Sequence, residues 1–224
     1  HRDLHSFPTR RSSDLPKDFP QIDFHKMSIH LFEAAGELLG NMSDNASRFS
    51  LHYLQHLGVH VHLNSKVKSY TNRVIVLEDG TELTTDNVIW TAGVKGNPIP
   101  GLPSELIVGG NRISVNTFNQ ITGYEYAFVL GDVASHADEA NPKGLPMLAQ
   151  VGIQQAKQLA KNLNRLVRKQ PMVPFSYYNK GVMATIGRNR AVVDLPRWKF
   201  KGPFAWFVWM FVHIMSLVGF RNKL

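Results

Sequence analysis

Side chains able to do chemistry are thinly spread along this chain. Glu33 closes the apolar run Ile29, His30, Leu31, Phe32, and a carboxylate at a strand end is where a dinucleotide fold accepts hydrogen bonds from ribose hydroxyls. The same glutamate also reads as an ordinary solvated strand end. Gly131 and Asp132 end the run YAFVL, a position that suits either a backbone brought close to a ligand or a plain turn. Gln150, Gln154 and Gln155 follow Pro146, Met147, Leu148 and Ala149 on a segment of helical periodicity, where glutamines are usually solvated. Lys180 lies in the loop YNKG. His60 and His62 alternate on one strand face, and with His52 and His56 they lack zinc-ligand spacing, so no metal is expected. The chain has no cysteine, which excludes a disulfide framework, a thiolate metal site and cysteine-pair redox chemistry. Any redox work must then come from a bound cofactor.

Composition narrows the partners. With 43% hydrophobic and 19% charged residues the 224-residue chain has the make-up of a globular protein, and its formal charge of +8 calls for something anionic: nucleic acid, a phosphorylated cofactor or a membrane surface. The basic residues gather in two places, Lys157, Lys161, Arg165, Arg168 and Lys169, and the flanks of the last apolar segment at Arg197, Lys199, Lys201, Arg221 and Lys223. Neither place interleaves stacking aromatics or shows a recognition-helix pattern, so nucleic acid is not an expected partner.

Strands and helices must hold these residues. The run to Glu33 is followed by a polar, helix-compatible stretch over 43–57 and by strand-like segments at 58–63, 66–71 and 73–83. Asp79-Gly80 marks a hairpin between alternating segments. Residues 87–93 read as a buried strand entering a glycine turn, and the Pro/Gly-rich residues 97–103 as a crossing between domains. Residues 126–132 read as another apolar strand. Pro146 suits the opening of a helix, since the first helical amide has no intrahelical partner. In that helix Ala156, Leu159, Ala160, Leu163, Leu166 and Val167 keep the spacing of one buried stripe. Strands alternating with helices predict an α/β fold with a mainly parallel sheet, whose ligand sites lie at the carboxyl ends of the strands. Residues 1–15 have no periodicity, and residues 6–15 resemble the translation of a sequencing adapter, so they are set aside as a non-native segment.

The segments IWTAGVKG, FVLGDVA, GLPMLAQVGIQQAKQLAKNL, YYNKGVMATIGRNRAVVDL and FAWFVWMFVHIMSLVGFRNKL stand in this order. Together they resemble the type II NADH:quinone dehydrogenases, the single-subunit, non-proton-pumping members of the flavin-dependent pyridine nucleotide-disulfide oxidoreductases. The likeness runs from about residue 16 to residue 224. It implies part of a two-dinucleotide-binding-domain (FAD/NAD) flavoprotein fold with a C-terminal amphipathic membrane-surface helix region. The implied divisions are 16–90 for a remnant of the NADH-binding domain, 91–180 for the C-terminal part of the FAD-binding domain, and 181–224 for a membrane-associating region. Neither GxGxxG phosphate loop of that family is present. The first half of the FAD domain, the opening of the NADH domain and a short C-terminal piece are therefore expected to be missing.

The resemblance also implies roles. Glu33 would hold the adenosine ribose of NADH and disfavour a phosphate there. Thr91, Ala92, Gly93, Gly131 and Asp132 would line the FAD, the glycine letting the backbone approach and the aspartate accepting a ribityl hydroxyl. Leu148, Ala149 and Gln150 would aim a helix amino end, with about half a positive charge, at the flavin pyrimidine. Gln150, Gln154 and Gln155 match the quinone-site pattern AQxxxQQ, and Lys180 would approach the flavin or the quinone. The implied reaction passes two electrons from NADH through FAD to a membrane quinone, so no nucleophile or acid–base triad is expected. A sulfide:quinone oxidoreductase would use cysteines. From another class, the chain as written would be an inert membrane-surface module without flavin.

Residues 204–220 form a 17-residue apolar segment with basic flanks and with Trp198, Trp206 and Trp209. A bilayer crossing needs about 20 predominantly apolar residues. The segment suits a helix lying in the interface, with tryptophans at headgroup depth and lysines on anionic lipid. Quinone, the lipid surface of the cytoplasmic face of an inner membrane, and pairing as a homodimer are the partners the resemblance implies.

Overall fold

The computed structural model describes residues 20, 21 and 27–216. The expectations for residues 1–15 and for Arg221 and Lys223 lie outside the described residues. The elements in chain order are β1 (Ile29–Phe32), α1 (Asp44–His56), β2 (Val59–His62), β3 (Val67–Thr71), β4 (Val74–Leu77), β5 (Glu82–Thr84), β6 (Ile107–Val108), β7 (Arg112–Val115), β8 (Ala134–His136), α2 (Ala149–Val167), β9 (Val182–Gly187), β10 (Arg190–Asp194), β11 (Lys199–Gly202) and α3 (Pro203–Ser216). They divide between two compact units, one made of the described residues up to Ile89 with those from Lys180 onward, the other of Trp90–Asn179.

In the first unit β1 and β2 pair in parallel, Ile29 beside Val59 and Phe32 beside His62, with α1 as their connection. Ser43 precedes α1 but does not cap it: its Oγ donates to Asp194 Oδ1 at 3.0 Å and its backbone N–H to Oδ2, tying the helix start to β10. Ala46 of α1 is buried against Ile186 and Val192 of the antiparallel β9–β10–β11 sheet. β3, β4 and β5 form an antiparallel meander with the expected turn. Gly80 takes φ +87, Leu77 N–H donates to Thr81 O at 2.9 Å, and Asp79 Oδ1 accepts from Thr81 N–H at 2.8 Å. That backbone donation holds the Asp79 carboxyl below its ordinary range. α3 lays Ala205, Trp206 and Trp209 on Ala191 and Val193. In the second unit β7 pairs antiparallel with β6 and parallel with β8.

Five expectations are corrected. Residues 87–93 form no strand: among the described residues nothing pairs with them, and Trp90 is 65% exposed. Residues 126–132 make only an isolated bridge, Phe128 to Gln120, before a short 3-10 turn at Gly131–Val133. A buried strand needs neighbours along its edges, which an apolar run by itself does not supply. Helix α2 starts at Ala149 with Leu148 at the cap, three residues past Pro146, because Pro146 lies in a turn whose carbonyl accepts Leu148 N–H at 2.9 Å. Its expected apolar stripe faces outward, with Val167 85% exposed, and the buried face is Val151, Gln155 and Asn162. Amide hydrogen bonds hold that face: Asn162 Nδ2 donates to Val173 O and Asn162 Oδ1 accepts Val173 N–H, both at 2.9 Å. Parallel pairing is limited to β1–β2 and β7–β8 among the described strands, the other ladders being antiparallel.

Candidate functional site

The most constrained site residues lie where the Gly131 turn meets α2. Leu130 arrives extended, and Gly131 turns the chain at φ +69, a region glycine enters without a Cβ penalty. Its N–H donates to Gln155 Oε1 at 2.7 Å, and Gln155 Nε2 donates to Asn119 Oδ1 at 3.0 Å. Gln155 and Asn119 are each only 1% exposed. Helix and turn also touch directly: a Cβ at Gly152 would stand 3.3 Å from Gly131 Cα. A Cβ at Gly131 would meet nothing within 4 Å, so the turn is open on its other side, and Asp132 is exposed beside it.

At the amino end of α2 no side chain caps the helix from Leu148 and no acid stands in the first turn. The positive end of the helix is thus uncompensated by its own sequence and suits an anionic or electron-rich group. Ala149 is exposed and Gln150 half-buried in this turn. Leu148 packs on the cluster of Leu145, Val151 and Phe175, as does Tyr177. Gln154 grips the backbone of Tyr178, donating from Nε2 to its O at 2.9 Å and accepting its N–H on Oε1 at 3.1 Å. Beside the same cluster, His136 packs edge-on against Phe175 at 5.3 Å, and among the described residues neither His136 Nδ1 nor Tyr177 Oη finds a partner although both atoms are buried. Burial pushes the His136 imidazole below 6.5, partly opposed by Asp138, and pushes the Tyr177 hydroxyl above 10.

The remaining candidates are placed separately. Thr91, Ala92 and Gly93 form an exposed tight turn of the same unit, with Gly93 N–H on Thr91 O at 2.8 Å and Gly93 at φ +89. Glu33 closes β1 in the first unit. Its N–H donates to His62 O at 2.9 Å, and one carboxylate oxygen accepts Ala35 N–H at 2.9 Å. Lys180 is exposed in the first unit, immediately before Gly181, whose φ of +99 and close approach to Asp194 O leave no room for a side chain.

Several residues escaped the sequence reading. His30 Nδ1 faces His62 Nε2 at 3.0 Å, with ring planes within 10°, while His60 stacks on His30 at 4.8 Å and Ser28 Oγ meets His30 Nε2 at 3.1 Å. Burial first, then the charges of His60 and His62, hold His30 below its ordinary value. Among the described residues no group of histidines and acids has a geometry that holds a metal ion. Asn119 and Arg112 gave no signal, because a polar residue inside an irregular loop or a two-turn hairpin has no periodicity to mark it as buried.

Residues 21–156 match the family described as pyridine nucleotide-disulphide oxidoreductase, and residues 179–224 match the NDH2 C-terminal domain. The type II NADH:quinone oxidoreductase Ndh of Mycobacterium tuberculosis is 31% identical over 217 residues, covering 92% of this chain and 46% of that protein. A type II NADH:quinone oxidoreductase of Haemophilus influenzae is 29% identical over 208 residues, covering 88% and 46%. The chain thus spans about half the length of the curated relatives it matches. Among solved structures, NDH2 from Plasmodium falciparum in complex with NADH superposes with a TM-score of 0.82 at 17% identity, over 95% of this chain and 58% of that one. The sulfide:quinone oxidoreductase from Aquifex aeolicus gives 0.67 at 15% identity, over 93% and 54%. At these identities both structures speak for the fold.

Proposed function

Because the chain belongs to the pyridine nucleotide-disulphide oxidoreductase family, with an NDH2 C-terminal domain at residues 179–224, we propose that it is the carboxyl-terminal part of an FAD-dependent NADH:quinone oxidoreductase. The observation that carries this reading is the junction of the Gly131 turn with α2, locked by Gln155 and Gly152. The junction fits a flavin. The turn is open where a Cβ would stand, and the helix amino end beside it has no cap of its own. FAD bound there would supply the two-electron exchange between NADH and a quinone.

The chain's own residues position and polarise. Gly131 lets the backbone approach, exposed Asp132 accepts a hydroxyl of the cofactor chain, and Thr91, Ala92 and Gly93 form a second turn for it. Leu148, Ala149 and Gln150 present the helix dipole. Gln150 and Gln154 are the quinone candidates. Gln155 takes a scaffolding role instead, since it is only 1% exposed and its amide bonds Gly131 and Asn119, whereas the bonds of Gln154 to Tyr178 are exposed. Glu33 has a second carboxylate oxygen for the ribose of NADH, and Lys180 offers a cation to the flavin or quinone.

Helix α3 supports a place on a membrane. Beyond the residues it packs inward, Phe204, Phe207, Phe211, Ile214 and Met215 are exposed at helical spacing. Trp206 and Trp209, expected at headgroup depth, face the β9–β10–β11 sheet, leaving phenylalanines and exposed Trp198 for the lipid. No helix among the described residues is long and apolar enough to cross a bilayer. The quinone, the lipid surface, the homodimer and the cytoplasmic face of the inner membrane enter this reading from the family resemblance.

The test is flavin absorbance. The full gene product carrying this chain is expected to purify yellow, with one FAD per chain and NADH:quinone reductase activity. The 224 residues alone should lose FAD, having neither glycine-rich phosphate loop. A colourless full product would contradict the proposal, whereas stoichiometric FAD on the 224 residues would contradict only the need for the phosphate loops.

A further inference from the structure

We propose that Arg112 is a positioning residue that fixes the amino end of α2 against the flavin; the inference rests on the flavin site proposed above. Arg112 is only 9% exposed at the start of β7. Among the described residues no carboxylate lies at ion-pair distance from it. Its guanidinium instead donates to backbone carbonyls: Nη1 to Leu145 O and Nη2 to Lys143 O, each at 2.7 Å, and Nε to Gly109 O at 3.5 Å. Two carbonyls either side of one residue are met by one planar fork, a geometry that arginine has and lysine lacks.

The segment it grips is the approach to the helix. Gly144, between the two carbonyls, takes φ +89, and a Cβ there would stand 2.7 Å from Arg112 Nη2 and 2.6 Å from Ser135 Oγ. The guanidinium therefore fills the space a side chain would need. Leu145 N–H donates to His136 O at 2.8 Å, and the Leu145 side chain packs with Val151 and Leu148, the first turn of α2. The path runs from Arg112 through residues 143–145 to the helix end, whose next turn carries Gly152 and Gln155 against Gly131. A buried cation held only by carbonyls contributes little as an ion pair. It acts by aligning those carbonyls, and so the helix end that stabilises negative charge on reduced flavin.

The experiment compares Arg112→Met and Arg112→Lys with wild type in the full gene product, by amide hydrogen exchange over residues 143–151 and by flavin midpoint potential. Both variants are expected to exchange at least tenfold faster over 143–151, with exchange in β1 and β2 unchanged. Both are expected to lose about tenfold of the preference for reduced over oxidised flavin, about 30 mV for a two-electron couple. Arg112→Lys keeps the charge without the fork and serves where Arg112→Met does not fold. Full recovery by lysine would assign the effect to charge and overturn the positioning role. Unchanged exchange in a folded variant would overturn it while leaving the flavin site standing. Faster exchange with an unmoved potential would overturn it by removing the flavin from the helix end.

Discussion

Gln155→Met removes the bridge between α2 and the Gly131 turn while nearly keeping side-chain volume and helix propensity. It deletes an acceptor 2.7 Å from Gly131 N and a donor 3.0 Å from Asn119 Oδ1. Asn119 is 1% exposed, so its oxygen is left without water, a loss of about 1–3 kcal/mol. The Gly131 N–H is only part-buried, and water can replace the lost acceptor, leaving about 0.5–1.5 kcal/mol. The expected total is about 3 kcal/mol, larger than the roughly 1 kcal/mol expected for Gln154→Met, whose bonds to Tyr178 are exposed. With a urea slope of about 2 kcal/mol/M, the midpoint of the unit Trp90–Asn179 falls by about 1.5 M. Urea unfolding followed by amide exchange reads both this shift and loss of protection at Gly131. A midpoint within about 0.3 M of wild type, with Gly131 still protected, would refute the bridge.

Three further outcomes are expected. Gly144→Ala combines a positive φ with contacts to Ser135 and Arg112 far inside van der Waals distance, and should lower the thermal midpoint of its unit by several degrees; a neutral effect would mean the loop is not held as described. Burial depresses His136, so its neutral form is favoured in the folded state: stability is whole above 6.5 and falls as pH drops through the folded value. His136→Phe should flatten that acid limb in melting curves, and equal slopes for variant and wild type would count against it. Phe207→Glu with Phe211→Glu should abolish co-sedimentation with anionic phosphatidylglycerol vesicles without changing the circular dichroism spectrum, whereas retained sedimentation would move the lipid contact away from α3.

Much of the fold could be read locally. The Asp79-Gly80 hairpin, the strand before Glu33 and the helix over Asp44–His56 follow from turn chemistry and short-range pattern, which need no distant partner. Residues 87–93 and 126–132 were misread because an apolar run signals burial only where neighbours exist, and the described residues supply none for the first and one bridge for the second. The stripe of α2 was real but faces out, because periodicity identifies an apolar face without naming what covers it. At the candidate site, glycine and glutamine types pointed to two segments that the fold brings together, the Gly131 turn and the start of α2. Which glutamine turns inward was hidden, since Gln155 is bonded to Asn119, a residue 36 positions away that no spacing rule connects to it.

Flavin stoichiometry of Gly131→Ala in the full gene product tests the central claim most directly. The added methyl meets no protein atom within 4 Å and points where the proposal puts the cofactor, so the folded variant should retain far less than one FAD per chain. A variant that stays yellow at one FAD per chain, with an unshifted absorbance spectrum, would contradict the claim that this turn and the start of α2 hold the flavin.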